Sequence, residues 1–207
     1  MFSPDGRRLY FYSKRPVDGA RDPEANRIWY VERSESGEDW GAPQRPPLPD
    51  AMTASQWGPS VTADGTLYYN TPGRSNGGID RSRRVNGQYG KAERLTERVN
   101  SGHLDWTVHV APDESYLIFS SDRSAGSGGG DLYVCFRETS GAWSKPRAMP
   151  ESVNTAFQER FPLVSPDGRF LFFTRWTPRH SQEVYWVGAG VIEDMKEAWL
   201  RELARRR

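Results

Sequence analysis

The sequence predicts an all-β fold, a β-propeller of four-stranded blades followed by a C-terminal α-helix. Three observations carry this prediction. A turn containing an aspartate recurs along the chain, an aromatic-rich apolar run follows each turn, and glycine and proline separate the runs. Of the 207 residues, 13% are aromatic. Because disordered chains are poor in aromatic residues, this composition indicates a folded protein.

Four segments of the chain align on the aspartate of a tight turn. These aspartates are Asp5, Asp64, Asp113 and Asp167. Their spacing of about 50 residues is typical of propeller blades. In Ser165-Pro166-Asp167-Gly168, proline presets φ, aspartate bonds the downstream backbone and glycine supplies a positive φ. Glu114 replaces this glycine in the third segment, so we expect a different turn type there.

Each repeat is predicted to contain four strands. The first ends at the aspartate turn, the second is aromatic and aliphatic, a glycine- or proline-rich loop leads to the third, and a turn precedes the fourth. The predicted first strands are 57–62, 106–110 and 161–165, and clear second strands are 117–119 and 171–173. The predicted third strands are 27–31, 78–80, 131–134 and 183–187, and the fourth pieces are 39–43, 88–92 and 142–146.

Each blade of a propeller is covered on both faces by its neighbours, which accounts for the nearly continuous apolar runs. We therefore expect Tyr10, Tyr68, Phe119 and Phe172 to lie in the core between blades. The predicted propeller spans 1–188, with repeats near 1–50, 51–99, 100–152 and 153–188.

The remaining segment, 189–207, is predicted to be a helix. Acidic residues lie near its start and arginines at its end, as the helix dipole favours. Its apolar residues recur at helical spacing and form one face, made of Ile192, Met195, Trp199 and Leu203. We expect this face to pack on the last blade.

The charge balance argues against a nucleic-acid or lipid-surface protein. Lysine and arginine total 28 and aspartate and glutamate 27, a net charge of +1. The densest basic cluster, Arg81, Arg83 and Arg84, is interpreted as a solvated hairpin. No apolar stretch approaches the ~18 residues of a membrane helix. The only cysteine, Cys135, excludes an internal disulfide and is expected to be a buried, inert thiol.

Neither a nucleophile, a metal centre nor a cofactor site is predicted. The segment around Ser127 resembles a nucleophile elbow but lacks the first glycine and the following helix, so we interpret it as a hairpin loop. His103, Asp105 and His109 share one side of a strand by its period of two. Along a strand the two histidines lie ~20 Å apart, too far for one metal ion. His180 is expected to be exposed.

One set of residues is predicted to bind a ligand. Eight residues before three of the turn aspartates lie polar side chains, each followed by a large residue. These pairs are Gln56 with Trp57, Asp105 with Trp106, and Glu159 with Arg160. At the entry of the innermost strands they would rim one mouth of the propeller channel and hold a peptide, a sugar or another polar ligand. The alternative is that they pair with neighbouring blades and close the ring.

The motifs resemble a known repeat. Phe119-Ser120-Ser121-Asp122-Arg123 with Asp131-Leu132-Tyr133, and the run from Ser165 to Phe173, resemble the TolB-type, WD-like propeller repeat of bacteria. The second repeat departs from it, with Thr62-Ala63 for Ser-Pro and Arg81 in place of tyrosine. The resemblance implies a ring usually of six blades and a periplasmic or secreted protein of the bacterial envelope.

About four blades are recognisable, and no signal peptide is visible in this chain. The sequence therefore predicts an N-terminally truncated fragment of a six-bladed ring, with a four-bladed ring as the alternative. Open blade edges would favour self-association.

The predicted function is non-catalytic binding of a protein, peptide or glycan, without nucleic acid or membrane insertion. The alternative is a hydrolase or lyase that acts on a sugar-like substrate with the rim carboxylates as acid and base. A third hypothesis is that the chain is the accessory propeller of a prolyl-oligopeptidase-type peptidase. That hypothesis requires a hydrolase domain with a nucleophile elbow, a motif that this sequence does not show.

Overall fold

The computed structural model describes residues 1–15, 25–49, 55–72, 77–124, 126–177 and 181–205. Within them the chain forms antiparallel β-strands and a single C-terminal helix, as predicted. The strands are β1 (Arg8–Ser13), β2 (Arg27–Glu32), β3 (Trp57–Val61), β4 (Leu67–Asn70), β5 (Ile79–Ser82), β6 (Arg84–Val85), β7 (Gln88–Tyr89), β8 (Glu93–Arg94), β9 (Asp105–Val110), β10 (Tyr116–Ser121), β11 (Asp131–Phe136), β12 (Arg147–Ala148), β13 (Gln158–Val164), β14 (Phe170–Trp176) and β15 (Gln182–Gly188), and the helix is α1 (Gly190–Arg205).

The strands form four successive sheets and one short ribbon. The first sheet is β1-β2, the second β3-β4-β5-β8, the third β9-β10-β11-β12 and the fourth β13-β14-β15, while β6 and β7 pair as a ribbon. Neighbouring sheets meet through their first strands, because β3 contacts β1 and β9, and β9 contacts β13. Each sheet therefore runs outward from a shared inner region.

The third sheet shows why the apolar runs are continuous. Leu117, Phe119 and Tyr133 belong to the core towards the second sheet, whereas Ile118 and Leu132 belong to the core towards the fourth. Successive residues of a strand point to opposite faces, so a sheet covered on both sides needs apolar residues at every position. Tyr10, Tyr68 and Phe119 are buried, which confirms their predicted place in the core.

Phe172 does not follow that prediction. It is half-buried, although its counterpart in the third sheet, Ile118, is fully buried. The reason is that the fourth sheet covers Ile118, whereas no further sheet in the described residues covers the outer face of the fourth. On that face Val184 is 71% and Trp186 61% exposed.

The turn at Glu114 corrects a second expectation. Glu114 adopts a φ of 57°, close to the 70° of Gly168 at the equivalent position. Its N–H donates to the Ala111 carbonyl at 2.9 Å, and the Gly168 N–H makes the same bond to Ser165 at 2.8 Å. The turn type is therefore the same. The Glu114 carboxylate accepts a hydrogen bond from the Tyr68 hydroxyl, which anchors a residue in a disfavoured conformation.

The fourth strands lie later in the chain than predicted. The aromatic residues of the predicted pieces pair with the chain just before them. Trp143, for example, forms an isolated antiparallel bridge with Arg137. The pairing strands are β8 and β12, of two residues each. Strands this short give no periodic signal in a sequence.

Helix α1 packs its apolar side on the third and fourth sheets. Trp199 stacks on Phe136 with ring centroids 5.3 Å apart, and Ile192 is buried in the same cluster. Arg147 of β12 forms an ion pair with Glu202 of the helix. Leu203, predicted on the same face, is exposed, and residues 206 and 207 lie outside the described part of the chain. No helix of the described residues is long and apolar enough to span a membrane.

Candidate functional site

A cavity of 320 Å³ lies where the first strands of the sheets converge. Its wall consists of consecutive residues from β3, β9 and β13, joined by Met1 and part of β1. The lining segments are 10–12, 58–59, 107–109 and 161–163. We call this space the inter-sheet cavity. Residues of all four sheets line it, an arrangement that is common among ligand sites between packed elements.

The residues predicted from the sequence stand directly before these lining segments. Each of the three strands that carry them has an irregular register just after the predicted pair, as β3 has between Trp57 and Ser60 and β13 between Arg160 and Leu163. Such bulges re-aim side chains locally. The six predicted residues thus precede the lining segments in the chain without lining the inter-sheet cavity themselves, and we call these six residues the rim.

The Asp105 carboxylate is held within the third sheet. It is 1% exposed and accepts a hydrogen bond from Arg123 at 2.6 Å. Arg123 also donates to the Val99 carbonyl at 2.7 Å, and its guanidinium lies 4.9 Å from the Phe119 ring centroid. Burial of both charges is tolerated because each is paired and hydrogen-bonded.

The fourth sheet repeats this arrangement. Glu159 is fully buried and accepts a hydrogen bond from Arg175 at 2.7 Å, while Arg175 donates to the Val153 carbonyl at 2.9 Å. The Thr155 hydroxyl donates to the same carboxylate at 2.6 Å. Both rim carboxylates are thus neutralised inside their own sheets, and neither lines the inter-sheet cavity.

Gln56 and Trp57 differ from each other in exposure. Gln56 is buried, and its side-chain oxygen accepts a hydrogen bond from the Ile28 N–H of the first sheet at 3.5 Å. Trp57 is exposed. Gln56 thus links two sheets, whereas Trp57 offers an aromatic surface at the rim.

Trp106 and Arg160 are brought together across two sheets. The Arg160 guanidinium carbon lies 4.4 Å from the Trp106 ring centroid, within cation–π range. The Arg160 Nη2 donates to the Gln158 side-chain oxygen at 2.9 Å. Burial lowers the pKa of Arg160. This pair is the polar feature of the rim that remains half-exposed.

The cavity wall itself is largely apolar. Phe161, Leu163 and Tyr12 are exposed large residues that line it. Phe161 has a φ of 55°, a left-handed conformation that is disfavoured for a bulky residue. Its N–H donates to the Thr107 hydroxyl at 3.2 Å, which ties β13 to β9. Backbone strain of this kind concentrates at binding and catalytic sites.

His103 and His109 lie in different surroundings. His103 is exposed and lies 3.6 Å from Asp122, whereas His109 is buried and lines the inter-sheet cavity. Burial lowers the pKa of His109 to about 4. Among the described residues no three histidine, cysteine, aspartate or glutamate side chains form a metal-binding group. His180 lies outside the described residues.

The contacts of Ser127, Cys135 and the basic cluster at Arg81 and Arg84 are structural. The Ser127 N–H donates to Asp131 at 3.1 Å, in a loop that packs against the fourth sheet. Cys135 is buried, as predicted, and burial raises the pKa of its thiol. Arg81 pairs with Glu93 at 3.0 Å, and Arg84 lies in the β6–β7 hairpin.

Sequence reasoning missed the arginine partners of the rim carboxylates. Arg123 follows β10 by two residues and Arg175 lies near the end of β14, so the repeat alignment contained a signal for them. The two asparagines after the fourth strands were also missed. Asn154 bonds the Leu132 N–H at 2.9 Å and its carbonyl at 3.0 Å, and Asn100 clamps Ile79 in the same way.

Comparisons with known proteins support the fold. The sequence matches no protein family model and no curated protein. Its structure is similar to that of a protein assigned as TolB from Agrobacterium tumefaciens, at 18% identity and a TM-score of 0.58, covering 90% of this chain and 59% of that one. It is also similar to a prolyl endopeptidase structure, at 14% identity and a TM-score of 0.53, covering 92% of this chain and 25% of that one.

Both of these structures are propeller proteins. At these identities the likeness concerns the fold alone, and it joins this chain to a protein assigned as TolB and to an endopeptidase alike. This chain spans 59% of the length of the TolB structure and 25% of the peptidase. The fold likeness therefore does not determine the function, which depends on the site.

Proposed function

We propose that this protein is a non-catalytic binding propeller that seats a peptide segment of a partner protein on the inter-sheet cavity and its rim. The observation that carries the proposal is the state of the two rim carboxylates. Asp105 and Glu159 are buried and each is ion-paired to an arginine of its own sheet. They therefore act as structural groups, and what the rim and wall offer a ligand is aromatic, apolar and cationic surface.

The exposed surface suits a peptide. Phe161, Leu163 and Tyr12 expose apolar area next to a cavity of 320 Å³, which is sufficient for a large apolar side chain. Exposed aromatic residues with a neighbouring arginine are the composition that dominates binding energy at protein interfaces.

A hydrolase or lyase is less well supported by the same geometry. A general acid or base must reach the proton it transfers, directly or through one water molecule. The Asp105 and Glu159 side chains are 1% and 0% exposed and are already bonded to Arg123 and Arg175. Using either as a catalyst would require breaking a buried ion pair.

We also propose that the four sheets are propeller blades of a larger ring. We propose further that the protein is a component of the bacterial periplasm. The support is the TolB-type repeat motif of Ser165 to Phe173, together with the fold likeness to the TolB structure.

Selection from a random-peptide display library tests the proposed function. The bait is the full chain, and the comparison bait is the Leu163→Lys variant, which places a charge on the cavity wall. Leu163 is already exposed, so this variant is expected to fold, and thermal unfolding checks it. Peptides enriched on the wild-type protein should bind the variant about tenfold or more weakly, the loss typical of an important interface residue.

The matched control is Leu200→Lys on the exposed side of α1. Selected peptides should bind it like the wild-type protein. Failure to enrich any peptide, or equal binding to all of these proteins, would overturn the proposal.

A further inference from the structure

Arg160 differs from the other charged rim residues. Arg123 and Arg175 neutralise Asp105 and Glu159 within their sheets. Arg160 has no ion pair with any acidic side chain of the described residues. The rim therefore carries one positive charge that the described part of the chain does not balance.

The Arg160 side chain is held in a fixed place. Its guanidinium lies over the Trp106 ring, and its Nη2 donates to Gln158. The Trp106 ring lies against Gly130, where a Cβ atom would stand 3.4 Å from it, and Gly130 forms a parallel bridge with Gln158. Trp106, Gly130, Gln158 and Arg160 thus form one interlocked unit, which we call the Arg160 platform. A cation that is already positioned loses little entropy on binding a ligand.

The guanidinium is incompletely satisfied. The Arg160 Nε is buried and has no hydrogen-bond acceptor among the described residues. Burial without a counter-charge disfavours the charged form, which is why the pKa of Arg160 is lowered. An anion at the half-exposed guanidinium would supply the missing charge and accept charge-assisted hydrogen bonds from its Nη groups.

We propose that the Arg160 platform binds a carboxylate of the peptide seated on the inter-sheet cavity. A carboxylate matches the planar fork of a guanidinium, which presents parallel N–H donors. The next residue in the chain is Phe161, which is exposed on the cavity wall. The ligand class is therefore a peptide with an acidic group, either a side chain or the C-terminus, beside an apolar side chain. This inference rests on the proposed function.

The first test uses the anion alone and does not depend on any peptide. The arginine Nε–Hε signals of the full chain are followed by NMR while sodium acetate is added at constant ionic strength, with sodium chloride as reference. Arg160→Lys removes one signal and thereby assigns it. We expect that signal to shift saturably with acetate and not with chloride.

The matched control is Arg169→Gln. Arg169 also lies over an aromatic ring, with its guanidinium carbon 5.3 Å from the Phe170 centroid, but it follows the aspartate turn and stands away from the rim. The Arg160 signal should respond to acetate in this variant as it does in the wild-type protein. An Arg160 signal that fails to saturate, or that responds equally to chloride, would overturn the inference.

The second test uses the selected peptides in three forms: as selected, with a C-terminal amide, and with acidic side chains changed to amides. Arg160→Gln should weaken the parent peptide about tenfold or more, as loss of a charge-assisted bond does. The peptide form that lacks the recognised carboxylate should bind the wild-type protein and the Arg160→Gln variant equally weakly. Whether this form is the C-terminal amide or the side-chain amide shows which carboxylate Arg160 recognises. If peptides bind at Leu163 but are indifferent to Arg160→Gln, this inference fails while the proposed function stands.

Discussion

At the residue scale, each of the two buried rim carboxylates is paired with an arginine, and these pairs define what the rim can do. Asp105 and Arg123 are 1% and 11% exposed. Removing one partner of such a pair leaves an uncompensated buried charge. Asp105→Ala should therefore lower the free energy of unfolding by about 3–5 kcal/mol, measured by urea denaturation.

An exposed ion pair provides the control for this prediction. Arg98 and Glu138 are 52% and 30% exposed, so Arg98→Ala should change the unfolding free energy by less than about 1 kcal/mol. Equal effects of the two substitutions would show that the Asp105 pair does not stabilise the fold.

His109 predicts a pH dependence of stability. Its ring nitrogens are buried without hydrogen-bond partners among the described residues, and burial lowers the pKa from 6.5 to about 4. Between these values the unfolded chain binds a proton that the folded chain does not, so stability falls as the pH falls. The loss should reach about 3 kcal/mol by pH 4.

Urea unfolding at pH 7 and pH 5 measures this effect. His109→Leu should reduce the difference between the two pH values, whereas His103→Leu, at an exposed site, should leave it as in the wild-type protein. A His109→Leu protein with an unchanged pH difference would contradict the assignment.

At the scale of elements, a glycine fixes how the third sheet meets the fourth. A Cβ atom on Gly128 would stand 2.0 Å from the Phe157 carbonyl oxygen, so backbone would have to move. Gly188 has nothing within 4 Å of the same position. Gly128→Ala should lower the thermal unfolding midpoint by several degrees, as a loss of about 1–3 kcal/mol does.

Gly188→Ala is the matched substitution and should change the free energy of unfolding by no more than about 0.5 kcal/mol, so that the midpoint stays close to that of the wild-type protein. If the two alanine variants unfold at the same temperature, the close contact between the loop and the fourth sheet does not exist in solution.

Some of these elements could be predicted from the sequence and others could not. The strands that follow each aspartate turn were predictable, because turn chemistry and apolar runs mark both of their ends. Glu114 misled the prediction, since its left-handed φ depends on the Tyr68 hydroxyl of another sheet. The strands β8 and β12 were placed too early, because two residues carry no periodicity and the aromatic residues before them, Tyr89 and Trp143, favoured the earlier assignment.

At the scale of the whole molecule, the outer face of the fourth sheet stands out. Val184 and Trp186 occupy the register positions of Leu132 and Val134 in the third sheet, because Trp186 pairs with Phe172 as Val134 does with Ile118. Leu132 and Val134 are fully buried, whereas Val184 and Trp186 are 71% and 61% exposed. Apolar faces of this kind favour association.

We expect the chain to self-associate as its concentration rises. The double substitution of Val184→Lys and Trp186→Lys should shift the equilibrium towards the monomer. Size-exclusion chromatography with light scattering measures both. Leu200→Lys on α1 is the control and should associate like the wild-type protein. A wild-type chain that stays monomeric over the whole concentration range would contradict this expectation.

The repeat alignment predicts where the six rim residues lie in the chain but not their chemistry. They stand at or next to the start of the first strands, directly before the segments that line the inter-sheet cavity. Whether a carboxylate is free depends on an arginine that reaches it from the next strand, as Arg123 reaches Asp105. The pairing of Trp106 with Arg160 joins different sheets, so no local pattern reveals it.

Binding without chemical change is the central claim, and a single mixture tests it. A selected peptide is incubated with the full chain while fluorescence anisotropy reports binding and mass spectrometry reports the peptide mass. We predict saturable binding that Arg160→Gln weakens, with the peptide mass unchanged throughout. A peptide that is cleaved or modified by the wild-type chain, but not by folded Asp105→Asn or Glu159→Gln variants, would contradict the account.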